Sequence, residues 1–163
     1  MGDRSHDGPG LTVREGRSDD APFVVGLGAD AFARFGDYGP IMREFLGSPD
    51  VASFIAEAAG ERVGFALVEA PLTRPGFKDL VAIAVDSEHR RTGVGRSLLS
   101  RVIASLEERR DASLLVLTVA DENEPAITLF RGLGFEMIPG VFGSYAGGQT
   151  SRQMARYVIP RRS

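Results

Sequence analysis

Apolar and polar residues alternate with a period of two from Leu11 to Glu15, which predicts a first strand. After Ser18-Asp19-Asp20-Ala21-Pro22, cap residues followed by a first-turn proline, the period lengthens. Phe23, Val24, Leu27, Ala31 and Phe32 then form one face of a helix that Gly36 to Pro40 interrupts. A shorter helix, Ile41 to Leu46, ends at Gly47-Ser48-Pro49. Val51 to Ala58 and Arg62 to Ala70 read as two strands of a hairpin turning at Ala59-Gly60-Glu61. Pro71 to Gly76 is a loop, and Leu80 to Val85 is apolar on both parities, as in a strand covered on both faces.

The clearest helix follows: Val94, Leu98, Leu99, Val102, Ile103 and Leu106 make a stripe at helical spacing. Ser113 to Ala120 is a second apolar strand. Strand, crossover helix and strand predict a βαβ unit with parallel strands. Asp121-Glu122-Asn123-Glu124-Pro125 opens a last helix carrying Ala126, Ile127, Leu129 and Phe130, which stops at Gly132 to Gly134. Phe135 to Ile138 and Ser151 to Ile159 are strands around a glycine-rich, flexible loop, Pro139 to Gln149. The pattern predicts a single α/β (α+β) domain over residues 11–160, without repeats, behind a polar, disordered tail at residues 1–10.

Composition narrows the function classes. The 163 residues are 43% hydrophobic and 25% charged, enough for one proper core. The absence of cysteine removes disulfides, thiolate metal sites and a cysteine nucleophile, and no metal site is expected. A net charge of −3 argues against general nucleic-acid binding. No apolar run approaches the roughly 18 residues of a membrane span. The first residues lack the apolar centre of a signal peptide, and His6 stands where a myristoylation motif has Ser or Thr. A cytoplasmic protein without a membrane partner is the expectation.

The candidate chemistry sits at Asp86-Ser87-Glu88-His89-Arg90-Arg91-Thr92-Gly93-Val94-Gly95-Arg96, between the apolar strand and the clearest helix. A helix N-terminus presents free N–H groups to an anion, and glycine admits close approach of a ligand to the backbone. Glycines also sit at strand–helix junctions merely to turn the chain. Gly95-Arg96-Ser97 lacks the Gly-Lys-Ser/Thr of a P-loop, and Leu98 occupies the third glycine of a dinucleotide fingerprint.

A third pattern fits. Arg90-x-x-Gly93-x-Gly95 resembles the Arg/Gln-x-x-Gly-x-Gly/Ala signature of the GCN5-related N-acetyltransferases. Asn123-x-x-Ala126-x-x-Leu129-Phe130 with Leu133-Gly134-Phe135 is similar to that family's second block, in the expected order. The resemblance implies a mixed central sheet of about seven strands flanked by about four helices, with splayed parallel central strands. It implies an acyl-CoA-dependent N-acetyltransferase that moves the acetyl group of acetyl-CoA directly to a primary amine of a small molecule or peptide. The alternative is a non-catalytic acyl-CoA-binding or regulatory module on the same scaffold. Assembly, a homodimer included, stays open.

Residue by residue, the resemblance puts the coenzyme A pyrophosphate on Arg90, Arg91, Thr92, Gly93, Val94, Gly95 and Arg96, with Ser97 as a side-chain donor. It puts the pantetheine arm on the main chain of Ile83, Ala84 and Val85, with the Val85 N–H facing the developing oxyanion. Asn123 matches a pantetheine contact and reads equally as a helix N-cap. Phe130 stands where members of the family often carry the tyrosine proposed as general acid, so that role is vacant; the ring remains a candidate for the tunnel wall. Tyr145 is the candidate replacement acid, or else a surface aromatic. Glu69, at the end of a strand next to the central one, is the candidate base.

Overall fold

The computed structural model describes residues 10–110 and 112–159, so the expected tail at residues 1–10 lies, but for Gly10, outside the described residues. The elements run β1 (Leu11–Glu15), a 3-10 turn (Ser18–Asp20), α1 (Ala21–Ala31), α2 (Tyr38–Leu46), β2 (Val51–Ala58), β3 (Glu61–Glu69) and β4 (Phe77–Val85). A second 3-10 turn (Ser87–His89), α3 (Val94–Arg109), β5 (Leu114–Ala120), α4 (Glu124–Gly132), β6 (Glu136–Met137), β7 (Gly143–Ser144) and β8 (Thr150–Tyr157) follow.

The strands form one mixed sheet in the order β1-β2-β3-β4-β5-β8-β6, with β7 also on β8. Among the described residues only β4 and β5 pair in parallel, as the βαβ pattern requires. Helices α1 and α2 cover one face through Val24 and Met42, which pack on Ile55, Phe65, Leu67 and Ala82. On the other face α3 and α4 bury Leu98, Leu99, Val102, Ile127 and Phe130 with Ala66, Leu80 and Leu117. The β2–β3 turn is tighter than its sequence suggests. Ala59 and Gly60 both take positive φ, 52° and 81°, the signature of a two-residue turn matching strand twist.

Three differences from the sequence reading have physical causes. β4 begins at Phe77, ahead of its apolar run, because Phe77 to Leu80 pair with Leu114 to Leu117. The supposed loop at 139–149 contains β7, whose two residues pair with Thr150 and Ser151 and so make a hairpin. Asp20 does not cap α1 with its side chain. Its carboxylate, 2% exposed, takes two Arg14 hydrogen bonds at 2.8 Å, one from Arg62 Nε at 2.7 Å and one from the Arg17 N–H at 2.6 Å. Arg14 also reaches Glu57 at 2.9 Å. One buried acid thus ties β1, β2, β3 and the turn into α1 together.

The centre of the sheet is interrupted. The parallel ladder ends at Leu80 and Leu117, although both strands continue. On the other edge of β4, Leu67 pairs with Ala82 and Val68 with Leu80, which leaves Val81 as the extra residue of a bulge. A bulge bends its strand and increases local twist. β4 bends away where its pairing with β5 stops, and Thr118, in the middle of the sheet, is exposed.

Candidate active site

A cavity of about 430 Å³ fills this parting. Its walls are residues 79–83 of β4 and 116–120 of β5, with Asn123, Ala126 and Phe130 from α4 on one side of the sheet. From the other side come side chains of α2 and of the connection between α1 and α2, and Tyr145 of the β7–β8 turn. The sheet is therefore pierced, and one space is open to residues of both helical layers.

The main chain along the opening follows from the ladder. Asp86 N–H donates to Val63 O at 2.8 Å and Ala84 pairs with Phe65, so these residues direct their polar groups to β3. By antiparallel alternation, Ile83 and Val85 direct theirs into the gap. This refines the expected trio. Ala84 spends its main chain on β3, while Ile83 and Val85 offer hydrogen-bonding groups to an amide-bearing arm, Ile83 from the cavity wall itself.

At the end of β4, Asp86 caps the 3-10 turn by accepting from the Glu88 N–H at 3.0 Å, and the Thr92 hydroxyl donates to His89 O. Arg90 Nε approaches Val85 O at 3.5 Å. Arg91 and Gly93 both have positive φ, 64° and 85°, and Gly93 is the N-cap of α3. Ser97 N–H donates to Gly93 O at 3.0 Å, the first bond of the helix, so the N–H groups of Val94, Gly95 and Arg96 have no acceptor within it. Arg90, Arg91 and Arg96 are exposed around them. Oriented amides, the helix dipole and guanidinium groups fit a pyrophosphate.

Two residues of this turn serve packing. Ser97 is fully buried, so its hydroxyl is not presented to a ligand, against the expectation of a side-chain donor. A Cβ on Gly95 would stand 3.2 Å from Leu129 Cδ2, so this glycine lets α3 and α4 approach. Asn123 has the expected N-cap role and also stands at the cavity. Its Oδ1 accepts from the Ala126 N–H at 3.3 Å as the N-cap of α4, and the residue lines the cavity. Phe130 is buried in the wall, 5.8 Å from the Phe135 ring.

On the opposite side, Tyr145 stacks against Phe35 at 4.9 Å. The turn that carries it is docked, not loose. Gly147 N–H donates to Phe35 O at 3.1 Å, and Gln149 Nε2 donates to Arg34 O at 2.9 Å. A Cβ on Gly147 would lie 2.2 Å from Arg34 O, so only glycine permits this approach. Burial, with Tyr38 nearby, pushes the Tyr145 phenol up to about 12. Burial raises Tyr38 as well. Both rings hold their protons at neutral pH. The raised value makes Tyr145 a weaker acid than a free phenol.

Glu69, the expected base, is not among the residues that line the cavity. Directly across the ladder from it stands Asp79, which does line the cavity. Burial pushes the Asp79 carboxyl above the ordinary carboxylate range, with the Arg74 guanidinium pulling against the shift. The sequence reading missed Asp79 because it began the strand at Leu80. The available signal was an acid abutting a strand buried on both faces.

Residues 19–135 match the model of the Acetyltransferase (GNAT) family. The chain belongs to that family. Like other GNAT proteins it is an N-acetyltransferase that takes its acetyl group from acetyl-CoA. It is 33% identical over 124 residues to an N-alpha-acetyltransferase of Sulfurisphaera tokodaii, covering 69% of this chain and 72% of that one. The same GNAT fold is seen in the ribosomal-protein-S18-alanine N-acetyltransferase of Escherichia coli, with TM-score 0.76, 24% identity and coverage of 94% and 97%. It is seen again in Ard1 of Thermoplasma volcanium, with TM-score 0.78, 21% identity and coverage of 93% and 99%. Among the described residues of this GNAT protein, no helix is long and apolar enough to cross a membrane.

Proposed function

We propose that this acetyltransferase acts on the α-amino group of a peptide or protein, with acetyl-CoA bound from the α3–α4 side and the amine presented from the α1–α2 side. The observation that carries this reading is the pierced sheet, which lets donor and acceptor meet in one cavity without a covalent enzyme intermediate. The N–H groups at the start of α3 and the Arg90, Arg91 and Arg96 guanidiniums hold the pyrophosphate. The main chain of Ile83 and Val85, with Asn123 and Phe130, holds and walls the pantetheine arm.

Asp79 accepts the proton of the attacking amine. The amine nitrogen bonds to the acetyl carbon, the Val85 N–H faces the carbonyl oxygen, and the carbon–sulfur bond breaks. The sulfur departs as a thiolate that the Tyr145 hydroxyl hydrogen-bonds, and it equilibrates its proton with solvent after it leaves. A free α-amine, with a pKa of about 7.7–8.0, needs only this one weak base, whereas a lysine amine near 10.4 would need more help. Similarity to an enzyme named N-alpha-acetyltransferase supports the same choice.

The test follows acetyl-CoA-dependent thiol release with a peptide carrying a free N-terminus, and with the same peptide N-terminally blocked but containing lysine. Release is expected only with the first; equal release with both overturns the α-amine reading. A second measurement addresses Tyr145. Tyr145→Phe is expected to lower kcat about tenfold, the worth of one hydrogen bond, while leaving acetyl-CoA affinity unchanged. Because the phenol ionises only near 12, kcat/KM in the wild type should show no descending limb below pH 10 that Tyr145→Phe removes. Such a limb would restore Tyr145 as the proton donor.

A further inference from the structure

We infer that the accepted amine is carried on a large apolar or aromatic body; under the α-amine reading, on which this inference rests, the first residue of the acceptor is one such as Phe, Leu or Met. The acceptor side of the cavity is built from Phe32, Phe35, Tyr38, Ile41, Phe45 and Tyr145. Among the described residues of the lining, Asp79 is the only acidic or basic side chain apart from the tyrosine phenols. A single carboxylate among rings has a definite selectivity. It pairs with one ammonium group and leaves the remaining charges of a polyamine or aminoglycoside without partners in an apolar wall. It repels an acidic first residue. A serine or alanine would leave most of the aromatic surface wet.

The wall is also formed in advance. Tyr145 rests on Phe35, and the Gly147 and Gln149 hydrogen bonds fix the turn against residues 34–35. Ile41, although it lines the cavity, is 38% exposed, an apolar side chain that an occupant would cover. Desolvating a large side chain here corresponds to roughly a 10- to 100-fold preference in kcat/KM.

The experiment uses the full-length protein, saturating acetyl-CoA and peptides identical from the second residue onward. Their first residues are Phe, Leu, Met, Ala, Ser or Asp, and 2-phenylethylamine and ethanolamine serve as small amines. The Phe, Leu and Met peptides are expected to exceed the Ser and Asp peptides by roughly 10- to 100-fold in kcat/KM. Ile41→Ser, a change at a partly exposed site, and Phe45→Ala should each compress the Phe-to-Ser ratio several-fold. Because that ratio is taken within each variant, a general loss of activity does not affect it. Faster acetylation of Ser or Ala peptides overturns this inference and leaves the α-amine reading standing. Acetylation of 2-phenylethylamine but of no peptide supports the apolar body and overturns the α-amine reading. An unchanged ratio in both variants overturns the assignment of selectivity to this wall.

Discussion

Asp79→Asn is expected to lower kcat/KM for the peptide amine by about 10²- to 10⁴-fold, the usual range for removal of a positioned base, with no change in acetyl-CoA affinity. The expectation rests on place. Asp79 lines the cavity, and its raised pKa makes it a better proton acceptor than an exposed carboxylate. The asparagine keeps the size and loses the basicity, and strand β4 is retained. Activity in the variant should recover partly at high pH, where the amine is neutral without help. In the wild type, kcat/KM should rise with pH as Asp79 and the amine lose their protons. Calorimetric titration with acetyl-CoA, alongside a pH–rate profile of each protein, makes the check. Full activity at pH 7 in Asp79→Asn would remove the carboxylate from the mechanism. A parallel fall in cofactor affinity would show a structural effect.

Asp20→Ala is expected to be the most destabilising single change in the polar structure described. Breaking a buried ion pair typically costs about 3–5 kcal/mol. The lower end applies, because Arg14 and Arg62 side chains keep 22% and 37% exposure and can turn to water. A loss of about 3 kcal/mol corresponds to a fall in Tm of roughly 6–12 °C for a chain of this size. The pH dependence has a definite sign. Its hydrogen bonds to Arg14, then to the Arg17 N–H and Arg62, hold the Asp20 carboxyl well below its ordinary value. Its contribution is complete above the unfolded-state pKa of about 3.9 and is lost as pH falls from there toward the lower folded value. Urea unfolding at pH 7 and pH 3 should show a larger difference between wild type and variant at pH 7. Equal differences at both pH values, or a loss below about 1 kcal/mol, would contradict the account.

How much of this was legible in the sequence depended on what each residue needed to reveal itself. The long elements declared themselves because periodicity is a local property, as in the α3 stripe from Val94 to Leu106. The donor side was legible too, since Gly93 needs positive φ at a fixed place between strand and helix. The acceptor side was not. Asp79 reaches the cavity through a strand start set by pairing with β5, a contact between residues far apart in sequence. Phe32 and Phe45 look like ordinary core in a helical pattern, and only the crossing of α1 and α2 over the opening makes them a wall. The turn at 145–149 read as mobile because nothing local reports that Gly147 and Gln149 are tethered to residues 34 and 35.

The extra residue at Val81 has a consequence for the phase of its strand. Side chains along β4 alternate between the two faces, and one inserted residue shifts that alternation by half a period. Were β4 to pass through Val81 with unbroken alternation, everything before it would exchange faces relative to Ile83 and Val85. Asp79 would turn toward α3, Lys78 would turn toward the rings of α1 and α2, and the acceptor would meet a cation where it now meets a carboxylate. A single backbone irregularity therefore sets the polarity of the cavity as well as its opening, and deleting Val81 would straighten the strand while leaving Asp79 on its present face.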